Sequence, residues 1–575
     1  MASTTRPVAR LLTVAYFSME VGLEPAMPTY SGGLGVLAGD TLRAAADMGI
    51  PMVGITLIYH KGYFQQHLDS RGTQTESPAQ WFPQDYLQAL PTRAEVTIEG
   101  RPVRLRAWLQ VVRGVSGHEV PVYFLDTALP ENDPRDQTIT DYLYGGDDRY
   151  RLCQEAVLGL GGVAMLRALG HRKPSVYHMN EGHSALLALA LLEERTSRRG
   201  LRTVTDADRE AVRHGCVFTT HTPVPAGHDK FYADLVRQVL GDSRTKELQS
   251  AGCLLDGALN MTHMALVFSH YINGVSMRHE AISRGMFPKY PINSVTNGVH
   301  AGTWVAPPFH HLYDRHIPEW RHDNLYLRYA IGIPRDEIQQ AHNEAKRDLL
   351  AEVERRTCVR LSPTAFTIGF ARRATGYKRA DLLFSDLERL KRIAKQVGPL
   401  QAIYAGKAHP NDDGGKALIR RVFDASAALK DYVPVVYLED YDMGLAKLLC
   451  AGVDLWLNTP QKPYEASGTS GMKAALNGVP SLSVLDGWWV EGCVEGVTGW
   501  SIGETWEGES DQGKDMASLH DKLERVIVPM FYKQPGEYAK VMRWAISLNG
   551  SYYNTERMVF QYLTNAYLGP KEHKR

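Results

Sequence analysis

The segment FTIGFARRATGYKRADLLFSDLERLKRIAKQVGPLQAIYAG, residues 366–406, contains two short apolar runs separated by a helical pattern. The runs are FTIGFA (366–371) and LQAIYAG (400–406), and the helical pattern is DLLFSDLERLKRIAKQ (381–396). Apolar runs of this length without alternation are typical of strands that are buried on both faces of a sheet. A strand, a helix and a second strand in succession predict a βαβ unit with parallel strands.

The same alternation extends through both halves of the chain. In the first half we predict strands at 11–17, 52–59, 120–126, 175–179 and 216–221, with helices at 148–170 and 183–199. In the second half we predict further strands at 433–440, 453–459 and 480–487, with helices at 335–356, 416–429, 443–452, 472–478 and 542–568. The predicted fold class is α/β, with two doubly wound, Rossmann-like domains that face a cleft. Ligands of such sheets bind outside the carboxyl ends of the strands, so we expect the active site in that cleft.

A domain boundary is predicted where glycine and proline interrupt the pattern, in TNGVHAGTWVAPP at 296–308. We expect one Rossmann-like domain over 1–303 and a second over 304–548. The remaining segment, 549–575, is predicted to be helical and to pack back on the N-terminal domain.

The composition is that of a globular protein. The chain has 575 residues, 64 Lys and Arg against 64 Asp and Glu, and a hydrophobic fraction of 44%. These values exclude an intrinsically disordered chain and a coiled-coil rod. A formal net charge of zero argues against a dedicated nucleic-acid binder and against a protein held on anionic membranes. No run of 18 apolar residues occurs, so we expect no membrane span.

The cysteines indicate the compartment. The six cysteines include no C-x-x-C pair, which argues against a structural zinc site or a redox dithiol, and we expect no metal. They are also too few for a disulfide framework in a chain of this length. Reduced thiols, together with an N-terminal apolar run too short for a signal peptide, predict a cytoplasmic protein.

The segment YEASGTSGMK, residues 464–473, lies between a predicted strand and a predicted helix. Small and hydroxylated residues before a helix leave backbone N–H groups free to bind an anion. We expect Lys473 in the first turn of the helix, where the positive end of the helix dipole lowers the pKa of an amine. A neutral lysine can form a Schiff base with an aldehyde. An ordinary N-cap followed by a solvated lysine is the alternative.

A second group of cations follows the predicted strand at 366–371. Arg372, Arg373 and Lys378 lie in the loop at the carboxyl end of this strand, where a bound anion would lie. Arginine offers a planar fork for phosphate, and lysine offers a point charge. A basic turn exposed to water is the alternative.

Further candidates follow strands in the first half. The glycine-rich segment SGGLG (31–35) lets backbone amides approach an anion closely, although a tight turn explains it as well. Glu20, His183 and His221 stand at or near the ends of predicted strands, and the histidines could hydrogen-bond sugar hydroxyls. Taken alone, each histidine is more often a structural residue.

Together these segments resemble the α-glucan phosphorylases, the family of glycogen, starch and maltodextrin phosphorylases. The resemblance is strongest at EASGT-x-x-MK (465–473), which is similar to the family's pyridoxal phosphate lysine motif. Supporting motifs occur in the family's order: SGGLG (31–35), N-x-x-H (180–183), TNG (296–298), RR-x-x-x-YKR (372–379) and GKA-x-P (406–410). The chain resembles the short bacterial and archaeal members, and the resemblance implies a GT-B type glycosyltransferase architecture.

The resemblance implies a cofactor and a phosphate site. Lys473 would hold pyridoxal 5′-phosphate as a Schiff base, in the C-terminal domain. The cofactor phosphate would be surrounded by Arg372, Thr469 and Ser470. Inorganic phosphate would lie beside it, held by Arg373, Lys378 and the backbone N–H of Gly33.

The resemblance also implies a glucan substrate. The glucosyl unit would be held by Glu465, Ser467, Gly468, Asn297 and His183, with His221 and Glu20 lining the same site. The implied catalytic residues are Lys473, Arg373, Lys378 and His183. The implied partners are an α-glucan or maltooligosaccharide, inorganic phosphate, glucose 1-phosphate and a second copy of the chain in a homodimer.

The implied reaction is retaining phosphorolysis of an α-1,4-glucan to α-D-glucose 1-phosphate. Inorganic phosphate would act as the general acid on the glycosidic oxygen, with the cofactor's phosphate as its acid–base partner. The same phosphate would then attack C1 on the face that the leaving group departs. Such a reaction needs no pair of carboxylates, unlike that of a retaining glycosidase.

Three positions depart from the family's usual pattern. Ser470-Gly471 stands where Gly-Asn is common, Thr375 where histidine is usual, and Asp442 where arginine is usual. The main alternative function is that of a nucleotide-sugar-dependent, glucan-synthase-like glycosyltransferase, which needs no Schiff-base lysine at position 473. A second alternative is an inactive glucan-binding homologue that kept the fold.

Overall fold

The computed structural model describes residues 12–198, 203–224 and 227–569. Leu11 of the first predicted strand, residue 199 of the predicted helix at 183–199 and residues 570–575 of the predicted C-terminal segment lie outside this part. Within the described residues, the strands form two large sheets and two small ones. The strands are β1 (Val14–Ser18), β2 (Met52–Leu57), β3 (Gln65–Leu68), β4 (Gln74–Ser77), β5 (Gln88–Ile98), β6 (Arg101–Arg113), β7 (Glu119–Asp126), β8 (Val176–Asn180), β9 (Cys216–Thr219), β10 (Lys230–Tyr232), β11 (Leu254–Leu255), β12 (Ala258–Asn260), β13 (Tyr271–Gly274), β14 (Ile292–Ser294), β15 (Phe366–Ala371), β16 (Leu400–Ala405), β17 (Val435–Leu438), β18 (Leu455–Asn458), β19 (Ser481–Val484) and β20 (Gly499–Ile502).

The helices cover both faces of the two large sheets, as buried parallel strands require. They are α1 (Gly33–Asp47), α2 (Pro134–Gln137), α3 (Asp148–Ala156), α4 (Gly162–Ala168), α5 (Leu187–Arg198), α6 (Asp206–Arg213), α7 (Ala233–Leu240), α8 (Asp242–Ser250), α9 (Met261–Val267), α10 (Met277–Met286), α11 (Ala301–Trp304), α12 (Pro307–His316), α13 (Arg335–Thr357), α14 (Leu387–Gln396), α15 (Asp413–Leu429), α16 (Met443–Gly452), α17 (Ser470–Leu476), α18 (Trp489–Gly492), α19 (Gln512–Lys522), α20 (Val528–Lys533), α21 (Pro535–Trp544) and α22 (Thr555–Tyr562). Single π-helical turns join α3 to α4, α19 to α20, and extend α21 and α22.

The two large sheets confirm the predicted α/β class. The first has the strand order β14-β13-β9-β8-β1-β2-β7-β6-β5, and its strands from β14 to β7 run parallel. The second has the order β17-β16-β15-β18-β19-β20, with every pair parallel. In each sheet the first strand along the chain, β1 or β15, lies inside the order, which is the doubly wound arrangement.

One edge of the first sheet differs from the prediction. The strands β6 and β5 add an antiparallel hairpin beside β7, where we expected parallel strands alone. Residues 101–113 read RPVRLRAWLQVVR, which alternates charged with apolar residues over much of its length. Such alternation is typical of an antiparallel strand with one wet face, and a search for continuous apolar runs misses it.

The last helices also differ from the single stretch predicted at 542–568. The helix α21 ends at Trp544, a π-helical turn follows, and α22 begins after Asn554. The Asn554 side chain accepts a hydrogen bond from the Arg557 N–H at 2.9 Å and so caps the new helix. The helix α22 returns to the first sheet, because Met558 and Tyr562 share one buried cluster with Tyr16 of β1.

Within the described residues, every helix is too short or too polar to cross a membrane.

Candidate active site

A cavity of about 580 Å³ lies between the two large sheets, at the carboxyl ends of their strands. Its wall is formed by the loops that follow β1, β8, β9 and β14 of the first sheet, and β15 to β18 of the second. The structure brings all the sequence-predicted site residues to this wall: Glu20, Gly33, His183, His221, Asn297, Arg372, Arg373, Lys378, Glu465, Ser467, Gly468, Thr469, Ser470 and Lys473.

Lys473 is the buried lysine of the site, with 7% of its surface exposed. It is the fourth residue of α17, and its Nζ lies 3.9 Å from the centre of the Trp304 ring. Within the described residues, no hydrogen-bond partner is found for this Nζ. Burial lowers the pKa of Lys473, while the charge of Asp40 opposes the shift. The predicted direction is therefore found, but its main cause is desolvation rather than the dipole of the seven-residue α17.

Arg372 and Lys378 enclose the carboxylate of Glu465. The Glu465 Oε2 accepts hydrogen bonds from Arg372 Nη2 and from Lys378 Nζ, both at 2.5 Å. All three side chains are more than nine-tenths buried. Burial alone would raise the pKa of Glu465, but the two cations lower it to about 2. Glu465 is thus held as a carboxylate and cannot serve as a general acid near neutral pH.

Arg373 is a further cation of the cavity wall. Within the described part of the chain, no carboxylate lies within ion-pair distance of its guanidinium. A Cβ added to Gly32 would lie 3.3 Å from Arg373 Nη2, and one added to Gly33 would meet no atom within 4 Å. The Arg373 guanidinium therefore lies close to Gly32 at the start of α1, and the space next to Gly33 is open.

Glu20 organises the glycine-rich loop. Its Oε2 accepts hydrogen bonds from the N–H groups of Ser31 at 2.5 Å and Gly32 at 3.2 Å. Its Oε1 accepts one from the Tyr144 hydroxyl at 2.9 Å. These bonds fix the start of α1, so the polar capacity of Glu20 is largely used within the protein.

His183 contacts a buried network of charged side chains that the sequence did not predict. Its Nε2 lies 3.4 Å from Asp229, which pairs with Arg151 at 2.7 Å. Its Nδ1 is buried and has no hydrogen-bond partner among the described residues. Burial lowers the pKa of His183 to about 4, although the charge of Asp229 raises it. At neutral pH the ring is uncharged and offers one donor and one acceptor.

His221 is held by the loop that follows β8. Its Nε2 lies 2.6 Å from the Asn180 side-chain oxygen, and its backbone N–H donates to Glu181 Oε2 at 2.7 Å. Burial lowers the pKa of His221 to about 3. The imidazole is therefore neutral and donates from Nε2 to Asn180, which leaves Nδ1 as an acceptor.

Polar atoms without partners mark the side of the cavity that is near β14 and α17. Asn297 Oδ1 and Ser467 Oγ are buried, and neither has a hydrogen-bond partner in the described ranges. Gly468 has φ +85°, a conformation that favours glycine, and brings its backbone close to Glu465. Buried polar atoms are normally satisfied, so these are candidates to bind a polar ligand.

Thr469 and Ser470 begin α17 with different side-chain environments. Thr469 is the N-cap residue, and its side chain does not cap the helix. Ser470 Oγ accepts a hydrogen bond from the Trp456 Nε1–H at 3.0 Å. The Ser470 hydroxyl is therefore tied to the buried face of β18, and Thr469 retains more freedom toward the cavity.

Two positions that depart from the family pattern have structural explanations here. The Asp442 side chain accepts a hydrogen bond from the Leu445 N–H at 2.7 Å and caps α16. Thr375 has extended backbone angles and precedes the short 3-10 turn Gly376–Lys378, which carries Lys378 to Glu465.

The wall also contains residues that sequence reasoning missed, including Tyr63, Tyr144, Arg151, Asp229, Trp304, Lys407 and His409. Lys407 and His409 belong to the GKA-x-P motif, so their position after a predicted strand could have signalled them. Tyr144 and Asp229 come from loops between elements with no local pattern, so only the folded chain brings them to the cavity.

Comparisons with known proteins agree on one family. A family model described as carbohydrate phosphorylase matches residues 20–109 and 228–498, more than half of the chain. Maltodextrin phosphorylase from Thermococcus litoralis is 39% identical, over 96% of this chain and 70% of that protein. Glycogen phosphorylase from Mycobacterium tuberculosis is 36% identical, over 96% of this chain and 70% of that protein. Glycogen phosphorylase from Aquifex aeolicus is 34% identical, over 96% of this chain and 86% of that protein.

Proposed function

Since the chain belongs to the carbohydrate phosphorylase family, we propose that it catalyses the retaining phosphorolysis of an α-1,4-glucan to α-D-glucose 1-phosphate. The substrates are glycogen or maltodextrin and inorganic phosphate. The observation that carries the proposal is the position of Lys473, a buried amine with a lowered pKa in the same cavity as Arg373 and Lys378. A buried lysine in one cavity with two further cations suits a site for a phosphorylated aldehyde.

The residues around Lys473 fit pyridoxal 5′-phosphate. The Lys473 amine lies against the Trp304 ring and has no hydrogen-bond partner among the described residues, so it is available to an aldehyde. Arg372 Nη1 is buried and also unpaired within the described ranges, which suits a phosphate oxygen nearby. Arg372, Thr469 and Ser470 would hold the cofactor's phosphate, and Thr469 has the freer hydroxyl. When bound, this cofactor supplies a phosphate group that exchanges a proton with the substrate phosphate.

Arg373, Lys378 and the backbone N–H of Gly33 hold inorganic phosphate in this proposal. Arg373 has no counter-ion among the described residues, and it lies close to Gly32 with open space next to Gly33. An arginine fork and backbone amides suit a phosphate that must also release a proton. Lys378 donates one N–H to Glu465, so its ammonium keeps further donors for the phosphate.

The glucosyl unit lies on the wall next to the phosphate site in this proposal. Asn297 Oδ1, Ser467 Oγ and His183 Nδ1 are buried polar atoms of this wall without partners among the described residues, and sugar hydroxyls can satisfy them. Gly468, Glu465, His221 and Glu20 complete the same wall. Neutral His183 and His221 can donate or accept without adding a charge beside the developing oxocarbenium ion.

The catalytic steps follow from these positions. Arg373 and Lys378 orient the substrate phosphate so that its proton reaches the glycosidic oxygen as the bond breaks. The proton stays on the hydroxyl of the departing glucan. The phosphate that released it then stabilises positive charge at C1 and forms the new C1–O bond from the side that the leaving group departed, which gives retention. Glu465 has a pKa of about 2 and is paired with two cations, so it takes no part as acid or nucleophile.

We extend the proposal to the organisation of the protein. The division into 1–303, 304–548 and a returning segment 549–575 is proposed as two GT-B type domains and a C-terminal helix that rejoins the first. A homodimer and a cytoplasmic location are proposed from the family resemblance and from the cysteine pattern. No role in binding nucleic acid is proposed.

The experiment that tests the function is borohydride reduction of the purified protein, followed by mass analysis of the peptide that contains residue 473. We expect a pyridoxyl-phosphate adduct on Lys473, together with phosphate-dependent release of glucose 1-phosphate from maltodextrin. Lys473→Ala should lose the adduct and the activity while keeping the far-ultraviolet circular dichroism of the wild type.

An unmodified Lys473 in protein supplied with the cofactor would reject the cofactor assignment. Glucosyl transfer from a nucleotide sugar would then support the synthase-like alternative. Absence of either activity, with glucan binding retained, would support the inactive homologue.

A further inference from the structure

A small hairpin crosses from the first half of the chain to the second sheet. The antiparallel strands β3 and β4 pair Gln66 with Glu76 and Leu68 with Gln74. They lie between β2 and β5 along the chain, yet their hydrogen-bond partners follow β16 and β17. Two glutamines on the inner face, Gln66 and Gln74, are 1% and 4% exposed.

Gln66 connects the hairpin to both loops of the second sheet. Its Nε2 donates to the Gly406 carbonyl at 3.0 Å, and its Oε1 accepts from the Asp440 N–H at 2.9 Å. Its own backbone N–H donates to Asp440 Oδ1 at 3.1 Å. One glutamine thus bonds to the loops after two neighbouring strands.

Gln74 binds the backbone of Ala408 in the same loop. Its Oε1 accepts from the Ala408 N–H at 3.0 Å, and its Nε2 donates to the Ala408 carbonyl at 2.8 Å. Gln66 Nε2 also donates to Gln74 Oε1 at 2.8 Å. The amide N–H and oxygen of both buried side chains therefore have partners, as a buried amide requires.

The segment held by these glutamines supports the loop that carries Arg373. The Arg372 N–H donates to the Ala405 carbonyl at 3.2 Å, and the Ala374 N–H donates to the Lys407 carbonyl at 2.9 Å. Gly406 has φ +140°, and a Cβ there would lie 1.9 Å from the Arg372 carbonyl oxygen. The residues on both sides of Arg373 therefore rest on the backbone that the hairpin holds.

We propose that the hairpin formed by β3 and β4 is a clasp across the cleft, and that Gln66 and Gln74 are positioning residues for the phosphate site. They act through Gly406–Ala408 on the Arg372–Ala374 backbone and so fix where Arg373 enters the cavity. The clasp thereby joins a segment of the first half of the chain to the loops that support the phosphate site. This inference rests on the proposed phosphorolysis.

Gln66→Met and Gln74→Met test the clasp, because methionine keeps the length of glutamine and removes its hydrogen bonds. Gln65→Met is the matched control, since Gln65 is the exposed neighbour on the outer face of β3. The holoenzymes are compared by initial rates of glucose 1-phosphate release at varied phosphate and at varied maltoheptaose. We expect each inner-face variant to raise the KM for phosphate at least fivefold, with the KM for maltoheptaose and the bound pyridoxal phosphate within twofold of wild type.

A double-mutant cycle tests whether the effect passes through Arg373. In an Arg373→Ala background, Gln66→Met should raise the KM for phosphate less than twofold, because the residue being positioned is gone. A merely structural glutamine would lower the melting temperature and leave the KM for phosphate unchanged, and that result would overturn the proposal. Failure of both inner-face variants to fold would overturn it in favour of a structural role.

Hydrogen exchange supplies a readout that does not depend on activity. The amide of Ala408 donates to Gln74, so exchange in a peptide covering 405–409 should accelerate at least tenfold in Gln74→Met and stay unchanged in Gln65→Met. Unchanged exchange in Gln74→Met would overturn the clasp even in an active enzyme. A wild-type protein without phosphorolysis would instead overturn the proposed function, and exchange would then decide alone whether the hairpin holds this loop.

Discussion

At the scale of single residues, two neighbouring carboxyl groups have different pKa values because they are buried beside different groups. Glu465 is buried between two cations, and its pKa falls to about 2. Asp486 is buried beside Glu465, and burial and the charge of Glu465 raise its pKa to about 7. The Asp486 carboxyl accepts a hydrogen bond from the backbone N–H of Glu465. The pKa values of these two neighbouring carboxyl groups thus differ by several pH units.

This separation predicts a pH-dependent stability. Between about pH 4 and pH 7 the folded protein keeps the Asp486 proton that the unfolded chain releases, so the contribution of Asp486 to the free energy of unfolding falls as pH rises, by about 1.4 kcal/mol per pH unit. Asp486→Asn removes this dependence and keeps an oxygen that can accept from the Glu465 N–H. The urea midpoint of the variant, relative to that of the wild type, should therefore rise from pH 5 to pH 7. Above pH 7 this difference should change little. A difference between the two proteins that is constant over this range would contradict the raised pKa.

At the scale of secondary structure, the packing of α1 depends on the close approach of its backbone at Gly39 to a neighbouring loop. Gly39, in the middle of α1, packs on the loop after β1, and a Cβ there would lie 1.9 Å from the Gly22 carbonyl oxygen. The same loop accepts a hydrogen bond from Arg43 to the Leu23 carbonyl. The helix is therefore packed tightly against the loop that contains Glu20.

Gly39→Ala is expected to destabilise the protein, because backbone must shift to admit the methyl group. Overpacking of this kind costs roughly 1–3 kcal/mol. The control is Gly285→Ala in α10, where a Cβ meets nothing within 4 Å and alanine should add up to about 1 kcal/mol through helix propensity. Urea unfolding followed by circular dichroism measures both changes. Equal midpoints for the two variants would show that the loop yields to the methyl group at little cost.

The strands that the sequence predicts well are those with continuous apolar runs. The run at 366–371 coincides with β15, and 52–59 contains β2, because strands buried on both faces need no polar residues. The hairpin of β3 and β4 was not predicted, since QQHL and QTES carry no strand pattern. These strands exist because Gln66 and Gln74 find partners more than 300 residues away. Local propensity carries no information about such partners.

The residues of the candidate site likewise divide into those that the sequence predicts and those that it does not. Residues that stand directly after predicted strands, such as Arg372 and His221, could be placed at the cavity because parallel strands end at one edge. Asp229 beneath His183 and Trp304 beside Lys473 could not, since each comes from a segment without a strand pattern and reaches the site through tertiary packing.

At the scale of the whole molecule, the contacts among the described residues that join the two large sheets around the cavity include three connections. The β3–β4 hairpin lies on one side. On another side, Ser276 Oγ donates to the Ala466 carbonyl at 2.7 Å, and Thr296 Oγ1 donates to Glu491 at 2.7 Å. The third is the C-terminal helix α22, which rejoins the first sheet after the chain has completed the second.

The helix α22 also contacts the segment of the cavity wall that contains Asn297, through Arg557. Its Nη1 donates to the Thr296 carbonyl at 2.5 Å, and its Nη2 donates to the Asn297 carbonyl at 2.9 Å. The Asn297 Oδ1 itself is buried and has no hydrogen-bond partner among the described residues. The clasp, by contrast, supports the loop of Arg373. In the proposed function, Arg557 thus supports the glucan side of the site, and the clasp supports the phosphate side.

Arg557→Ala should accordingly raise the KM for maltoheptaose by up to about tenfold, the equivalent of one lost charge-assisted hydrogen bond of roughly 1.4 kcal/mol, and leave the KM for phosphate within twofold. Arg525→Ala is the control, because the Arg525 side chain is 74% exposed and far from the cavity wall. Initial rates at varied maltoheptaose and at varied phosphate measure both constants, and thermal melts record any general loss of stability. A parallel rise in both constants would mean that α22 holds the cleft as a whole. A rise in the glucan constant alone, opposite to the pattern expected for Gln66→Met, would show that the molecule fixes its two substrates by separate long-range contacts.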